Sequence, residues 1–153
     1  MQADRRQFLK HCCVLLAAGC CSLLRPVSAW ASDWNKTGFE ARNLADVLKS
    51  LNAGTPADSK SILLKVPDIA DQDSDVPILI SSRIPNTQTI SIVVEGNLHP
   101  LAATFAFSSG IEPTVSTHLK IRKTSSVKVV VQANGTYHWV SRQVKVATAE
   151  KCG

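Results

Sequence analysis

The sequence predicts a mainly β protein, an antiparallel β-sandwich preceded by one helix. Three observations support this prediction. Short apolar or alternating segments follow one another after residue 60, turn-forming residues separate them, and an Asn-Gly pair lies between the last two. About seven short strands with turn signals between them are typical of a two-sheet sandwich. A small barrel is the alternative.

The helix is predicted over residues 35–52, NKTGFEARNLADVLKSLN. Four apolar side chains recur at the i, i+3, i+4 and i+7 spacing of one helical face: Leu44, Val47, Leu48 and Leu51. Gly54 and Pro56 follow in the segment NAGTP and are expected to end the helix.

The predicted strands cover residues 61–67, 76–82, 89–95, 101–107, 114–121, 126–133 and 136–146. In the fifth segment, apolar residues alternate with Ser116, His118 and Lys120, so one face of this strand is expected to contact water. Asn134-Gly135 is expected to form a type I′ hairpin turn, because these residue types tolerate the positive φ that this turn requires.

Residues 1–31 are interpreted as an export signal. Arg5 and Arg6 precede an apolar run from Cys12 to Leu24, and the segment SAWAS provides an A-x-A cleavage pattern. The paired arginines resemble a twin-arginine signal, with an ordinary Sec signal as the alternative. The run is shorter than the ~20 residues of a membrane span. The mature protein is therefore expected to be periplasmic and not membrane-bound.

Removal of the signal changes the charge balance. The whole chain has 17 basic and 12 acidic residues. Four basic residues and one acidic residue lie in the signal, which leaves 13 and 11 and a net charge of +2. No basic block with interleaved aromatic residues remains, so nucleic acid is not an expected partner.

Cysteine use singles out one residue of the mature chain. Four of the five cysteines lie in the apolar run of the signal, namely Cys12, Cys13, Cys20 and Cys21. Cys152 remains as a lone thiol, so the mature chain cannot form an internal disulfide. An odd cysteine in an exported protein indicates either intermolecular pairing or a reactive thiol.

Other candidate chemistry is weak in this sequence. The motifs GxSxG and HExxH and the phosphate-binding glycine loop are absent. The three histidines of the mature chain lack zinc-ligand spacing: His99, His118 and His138. The run Asp68, Asp71, Asp73 and Asp75 lacks the glycine and the closing glutamate of an EF-hand. We interpret this acidic run as a solvated loop, and predict no catalytic residue, metal or cofactor.

The segment after the last predicted strand, residues 147–153, is interpreted as a flexible arm. Its sequence ATAEKCG has no apolar periodicity, and termini that nothing ties down are usually mobile. Seven extended residues span at most about 23–25 Å. The arm contains Glu150, Lys151, Cys152 and Gly153, so its thiol could enter the cleft of another protein.

The mature chain resembles the SoxY family, the sulfur-carrier subunits of the periplasmic Sox system that oxidises thiosulfate. The resemblance is most specific in four segments: KVPDIADQDSDVPILISS, VVEGNLHPLAATFAFSSGIEPTVSTHLKI, TSSVKVVVQANG and QVKV. It implies an immunoglobulin-like sandwich over residues 32–146 with the N-terminal helix. It also implies a complex with a second small β-sandwich subunit, SoxZ, and export in the folded state.

The resemblance further implies a carrier and not an enzyme. In the family, a cysteine on the C-terminal arm holds the substrate, which corresponds to Cys152 in this chain. A c-type cytochrome complex, SoxAX, couples thiosulfate oxidatively to this cysteine. SoxB, a manganese-dependent hydrolase, then releases sulfate. No catalytic residue is carried over to this chain, because the partners perform the chemistry.

The tail departs from the family pattern, which brackets the cysteine with glycine pairs. In this chain Glu150 and Lys151 precede Cys152, and Gly153 follows. Side chains add bulk and restrict the backbone where the pattern has glycine. The alternative interpretation is therefore a SoxY-like periplasmic binding or adaptor module that serves another redox system. A homodimer linked through Cys152 is a third hypothesis.

Overall fold

A computed structural model describes residues 34–72 and 74–147. The helices and strands of these ranges belong to a compact unit that begins at Asn35. They form a mainly β architecture of two sheets with small N-terminal helices, which confirms the predicted fold class. No helix within the described residues is long and apolar enough to cross a bilayer.

The helices are α1 (Lys36–Glu40) and α2 (Leu44–Ser50). The strands are β1 (Ala57–Asp58), β2 (Ile62–Lys65), β3 (Ile69–Asp71), β4 (Asp75–Ser82), β5 (Thr87–Val94), β6 (Leu101–Ala106), β7 (Thr114–Lys120), β8 (Ser125–Ala133) and β9 (Thr136–Ala147). Each of the predicted strands is present, with ends that differ by at most two residues from the prediction.

The larger sheet has the strand order β1-β9-β8-β5-β6, and β3 also pairs with β9. The smaller sheet has the order β2-β4-β7. β1 and β3 run parallel to β9, while the remaining pairs are antiparallel. The arrangement is thus an open two-sheet sandwich and not the alternative barrel.

The main core lies between the two sheets. It is built from alternate residues of each strand, as a sheet with one buried face requires. Ile90 and Ile92 of β5 are completely buried there, as is Ile80 of the facing sheet. Full burial of such a side chain contributes about 1.5–3 kcal/mol. On β7, Ser116, His118 and Lys120 are exposed, which confirms the predicted wet face.

The single helix predicted over residues 35–52 is instead two short helices. Ala41 has ψ 146°, which is extended, and Asn43 at ψ 162° starts the second helix as its N-cap. The Asn43 side chain accepts a hydrogen bond from the Asp46 N–H at 2.8 Å. Asparagine competes for backbone hydrogen bonds in this way, so it favours a new helix start over continuation.

The two helices cover the outer face of the larger sheet. Val47 is completely buried against Val93 and Val130 of that face. The Tyr137 hydroxyl donates to the Leu51 carbonyl at 2.7 Å, which fastens the end of α2 to β9. The apolar stripe predicted from the sequence therefore packs on a sheet, and forms a second, smaller core.

Two prolines end β2 and redirect the chain from one sheet to the other. The Arg83 N–H donates to the Ser61 carbonyl at 2.8 Å, so Ser61 and Arg83 form a hydrogen-bonded pair. In an antiparallel ladder every second pair of opposite residues is hydrogen-bonded, so the bonded positions of β2 and β4 can be counted from this pair. The register makes Pro67 and Pro77 the next bonding pair after Lys65, but neither has an N–H to donate. The chain consequently leaves the smaller sheet and forms β3 on β9.

The acidic segment is not wholly a solvated loop, contrary to the prediction. Ile69–Asp71 form β3, with Ala70 buried, and Asp75 begins β4. Asp73 lies outside the described residues. The alternation of a three-residue strand is too short to read in a sequence, and β3 is defined by its pairing with β9.

The predicted hairpin turn is confirmed. Asn134 and Gly135 have φ of 51° and 73°, the positive values that a type I′ turn needs at both central residues. The turn joins β8 to β9 and sets their register, with Ala133 opposite Thr136. β9 then runs for twelve residues along β8 and beyond it.

Candidate functional site at the base of the arm

The predicted site residues Glu150, Lys151, Cys152 and Gly153 lie outside the described residues. The structure instead defines where the chain enters this segment. β9 ends at Ala147, one residue beyond the predicted end of the strand. Cys152 follows Ala147 by five residues in the sequence. We call residues 145–147 the arm base.

The arm base is held on both sides of β9. On one side β3 pairs with it in parallel, with Ala70 opposite Val146, and the Lys145 N–H donates to the Asp68 carbonyl at 2.9 Å. On the other side β8 begins only at Ser125, opposite Val144. Beyond that point the Thr124 hydroxyl accepts the Val146 N–H at 2.9 Å. A side chain thus continues the hydrogen bonding where the neighbouring strand is absent.

Several loops lie at the end of the sandwich that carries the arm base. β5 and β7 end there, and β8 begins there. Asn97, in the β5–β6 turn, joins this turn to the β7–β8 loop. Its side chain donates to the Lys120 carbonyl at 3.0 Å and accepts from the Arg122 N–H at 3.3 Å. Between these two residues, Ile121 is completely buried in the main core. The loop that carries Thr124 is therefore fixed from both sides.

Gly96 packs tightly against the start of β8. A Cβ atom at this position would lie 2.7 Å from the Ser125 Cβ, 2.8 Å from its Oγ and 3.2 Å from the Lys123 carbonyl oxygen. Carbon atoms do not approach so closely, so only glycine fits here without a shift. The β5–β6 turn therefore packs directly against the β7–β8 loop, whose Thr124 holds the arm base.

Replacing Gly96 by alanine is expected to destabilise the protein by about 1–3 kcal/mol, the usual cost of overpacking. Because the clash is mainly with Ser125, the double variant Gly96→Ala/Ser125→Gly should recover part of the loss. Chemical denaturation of the two single variants and the double variant forms the measurement. Strictly additive effects would show that the two positions do not contact each other.

Charged side chains of both signs surround the arm base, and all are exposed. The basic ones are Lys120, Arg122, Lys123 and Lys145. The acidic ones are Asp68, Asp71 and Asp75. None of them forms an ion pair with another described residue; the pairs within the described ranges are Lys36–Glu40 and Lys128–Glu95. The mixed signs give this surface no strong preference for a charged ligand, so its contribution is to position the chain.

The histidines do not converge at the arm base. His99 is exposed in the β5–β6 turn, and His118 is exposed on the outer face of the smaller sheet. His138 lies near the start of β9, with its Nε2 3.2 Å from the Thr136 hydroxyl. Within the described ranges, no group of three histidine, cysteine, aspartate or glutamate side chains could hold a metal ion.

Sequence reasoning missed the residues that fix the arm base. Asn97 carried a weak signal, because it follows a glycine in a predicted turn. Thr124 carried none, since its role depends on where β8 begins along β9. β3 was hidden in the acidic segment, where the charges suggested a loop.

Comparisons with known proteins identify the family. A family model described as the sulfur oxidation protein SoxY matches residues 48–149, well over half of the chain. A search of curated proteins finds no match. The family-model match covers the strands of the sandwich and the arm base, and it ends before Glu150.

Solved structures agree with this match. The sulfur carrier protein SoxY from Chlorobium limicola f thiosulfatophilum is 32% identical, with a TM-score of 0.61, over 68% of this chain and 96% of that one. A superoxide reductase (neelaredoxin) from Ignicoccus hospitalis is 18% identical, with a TM-score of 0.52, over 57% of this chain and 80% of that one. At that identity the second similarity concerns the fold alone. The family-model match and the similarity to the Chlorobium protein together show that this chain belongs to the SoxY family.

Proposed function

We propose that this protein is a periplasmic covalent sulfur carrier that holds thiosulfate-derived sulfur on Cys152, as the SoxY-like subunit of a SoxYZ complex. The observation that carries the proposal is the position of the thiol in a chain of this family. Cys152 is the one cysteine outside the predicted signal, and it follows the fixed end of β9 by five residues.

The arm base supports this role mechanically. Cys152 is the fifth residue after Ala147, and five extended residues span at most about 16–18 Å. β3 and Thr124 hold the preceding residues in place, so the reach of the thiol is measured from a defined point. A thiol on such a tether can enter a cleft in a partner while the sandwich remains outside.

The first chemical step is an oxidative coupling. The Cys152 thiolate and thiosulfate form a sulfur–sulfur bond, which yields the cysteine S-thiosulfonate and releases two electrons. A SoxAX-like c-type cytochrome accepts the electrons. In the second step, water attacks the terminal sulfonate, and sulfate and two protons leave; a cysteine persulfide anion remains on the carrier. A SoxB-like hydrolase catalyses this step.

The partners therefore perform the catalysis, and the carrier supplies a covalent handle. A SoxZ-like β-sandwich subunit is the proposed stable partner, while the cytochrome and the hydrolase bind transiently. The predicted twin-arginine signal would export the folded complex to the periplasm. We assign no catalytic residue and no cofactor to this chain.

The proposal is tested by mass spectrometry of the purified protein after incubation with thiosulfate and the cognate cytochrome. We expect an added thiosulfonate group on the C-terminal peptide that contains Cys152. Subsequent addition of the hydrolase should convert this adduct to a persulfide. The proposal is wrong if the active cytochrome leaves Cys152 unmodified.

A second candidate function is a SoxY-like binding or adaptor module for another redox system. The observation that favours it is the tail itself, since Glu150 and Lys151 replace the glycines of the family pattern and lie beyond the family-model match. Changing both residues to glycine separates the two functions. If the two side chains only limit access to Cys152, the glycine variant should form more adduct than the wild type. If the protein is an adaptor, Cys152 of the variant should remain unmodified.

A further inference from the structure

Two turns lie side by side at the end of the sandwich opposite the arm base. One joins β4 to β5 at Asn86, and the other is the hairpin turn at Asn134, from which β9 starts. β5 and β8 are neighbours in the larger sheet, and Thr87 pairs with Ala133 next to the two turns. The pairing of these strands therefore brings the β4–β5 turn against the hairpin turn.

Side-chain hydrogen bonds join the two turns. The Asn86 Nδ2 group donates to the Asn134 Oδ1 atom at 2.9 Å, and the Asn134 Nδ2 group donates to the Pro85 carbonyl at 3.2 Å. We call these two bonds the asparagine clasp. Because of the clasp, both the oxygen and the nitrogen of the Asn134 amide are held by the neighbouring turn.

Asn134 is the one asparagine of this chain that glycine follows. The other five asparagines precede residues with a side chain: Lys36, Leu44, Ala53, Thr87 and Leu98. Glycine has no Cβ atom, so its backbone nitrogen can be approached with little steric hindrance. Both residues of the hairpin turn are also exposed to water. Asn134 is therefore the asparagine whose amide is most open to attack by the next backbone nitrogen.

The Gly135 N–H lies outside the β8–β9 ladder. The ladder closes at the pair Ala133 and Thr136, and the two central residues of the turn project beyond it. A backbone nitrogen within a ladder must first break its hydrogen bond before it can react. The Gly135 nitrogen has no ladder bond to break.

We propose that Asn134 is a deamidation site of this protein, and that the asparagine clasp sets the rate of the reaction. Hydroxide first removes the Gly135 amide proton, and the nitrogen attacks the Asn134 Cγ atom. A carbon–nitrogen bond forms, and the side-chain nitrogen takes a proton from water and leaves as ammonia. Water then opens the cyclic imide at one of its two carbonyl groups. The product is aspartate or isoaspartate, and no oxidant or reductant is consumed.

The clasp slows the first step because it holds the amide against the β4–β5 turn. The Asn134 Cγ atom must swing back toward its own main chain to meet the Gly135 nitrogen, and both bonds of the clasp must then break. The net stability of one such hydrogen bond corresponds to about a two- to tenfold change in an equilibrium. Loss of the bond from Asn86 should therefore raise the deamidation rate by a similar factor.

Either product weakens the hairpin. An aspartate side chain at position 134 has no amide hydrogen to donate to the Pro85 carbonyl, so that bond is lost. Isoaspartate lengthens the main chain of the turn by one carbon, and a two-residue type I′ turn no longer fits between β8 and β9. The deamidated protein should therefore unfold at a lower temperature than the unmodified protein. None of this depends on Cys152 or on the proposed carrier chemistry.

The test is a time course of the purified protein at mildly alkaline pH, followed by peptide mapping with mass spectrometry. Deamidation should appear first at Asn134, as separate aspartate and isoaspartate products. Asn86→Gly should accelerate it about two- to tenfold, because this variant removes the donor of one bond. Glycine also tolerates the positive φ of 56° at this position. In concentrated urea both proteins should react at one common rate, which exceeds that of the folded wild type.

Asn52→Gly is the matched control, because Asn52 also has a positive φ, 55°, and its side chain takes no part in the clasp. This variant should deamidate at Asn134 at the rate of the wild type. Three results would overturn the proposal: earlier deamidation at another asparagine, no acceleration in Asn86→Gly, or a folded wild type that reacts as fast as the chain in urea.

Discussion

Replacing Cys152 by alanine is expected to abolish the sulfur adduct completely. Alanine has no thiolate to form the sulfur–sulfur bond, and the chain has no second cysteine outside residues 1–31. The loss should thus be total and not partial. Intact-protein mass spectrometry after incubation with thiosulfate and cytochrome measures it, and cells that carry the variant should lose carrier-dependent thiosulfate oxidation.

The matched control for this variant is Lys151→Ala, which alters the neighbouring side chain and keeps the thiol. It should still accept the adduct. The thermal unfolding midpoint should be the same for the wild type and both variants, because both positions follow the last strand of the sandwich. Thiosulfate oxidation that persists in the Cys152→Ala cells would favour the adaptor function.

Replacing Ile92 by aspartate is expected to unfold the sandwich. Ile92 is completely buried in the main core, on a strand that pairs with both β6 and β8. The change loses the burial of a large apolar side chain and places a carboxylate with no partner among valines and isoleucines. The combined cost should exceed about 4 kcal/mol, a large part of the stability of a domain this size. Circular dichroism should show no cooperative transition.

Ile92→Val is the control at the same position, because it removes one methylene group and no more. It should lower the stability by about 0.5–1.5 kcal/mol and keep a cooperative transition. A folded Ile92→Asp variant with a near-normal midpoint would mean that β5 does not lie at the centre of the core.

The strands were predictable because their burial follows from residue order. In β7, exposed residues alternate with less exposed ones, and the sequence shows this pattern, with Ser116, His118 and Lys120 at the exposed positions. The hairpin turn was predictable because Asn134-Gly135 determines its own backbone conformation. In both cases the information lies within a few neighbouring residues.

The elements that were missed depend on distant partners. β1 and β3 have two and three residues, and they are strands only because β9 offers a free edge. The break between α1 and α2 has a local cause in the Asn43 cap, but the prediction extended the helix back to residue 35 although the apolar stripe begins only at Leu44. The predicted apolar stripe itself was correct, since its residues pack on the larger sheet.

The candidate site was predicted from composition and resemblance. Excluding the predicted export signal left one thiol, and the SoxY resemblance assigned this thiol a proposed role. The anchoring of the arm base could not be predicted in this way. The bond from Val146 to Thr124 joins residues 22 positions apart, and it exists because β8 begins at Ser125, opposite Val144, and so does not extend far enough to pair with Val146.

The prolines that move the chain from one sheet to the other have a mechanical consequence. They allow β3 to run alongside β9 in the same direction, right up to Ala147. A pull on Ala147 along the strand axis therefore loads the bonds to β3 and β8 together, in shear, and cannot open them one at a time. Against any such pull the strand should resist as a unit, and the force should reach the sandwich as a whole.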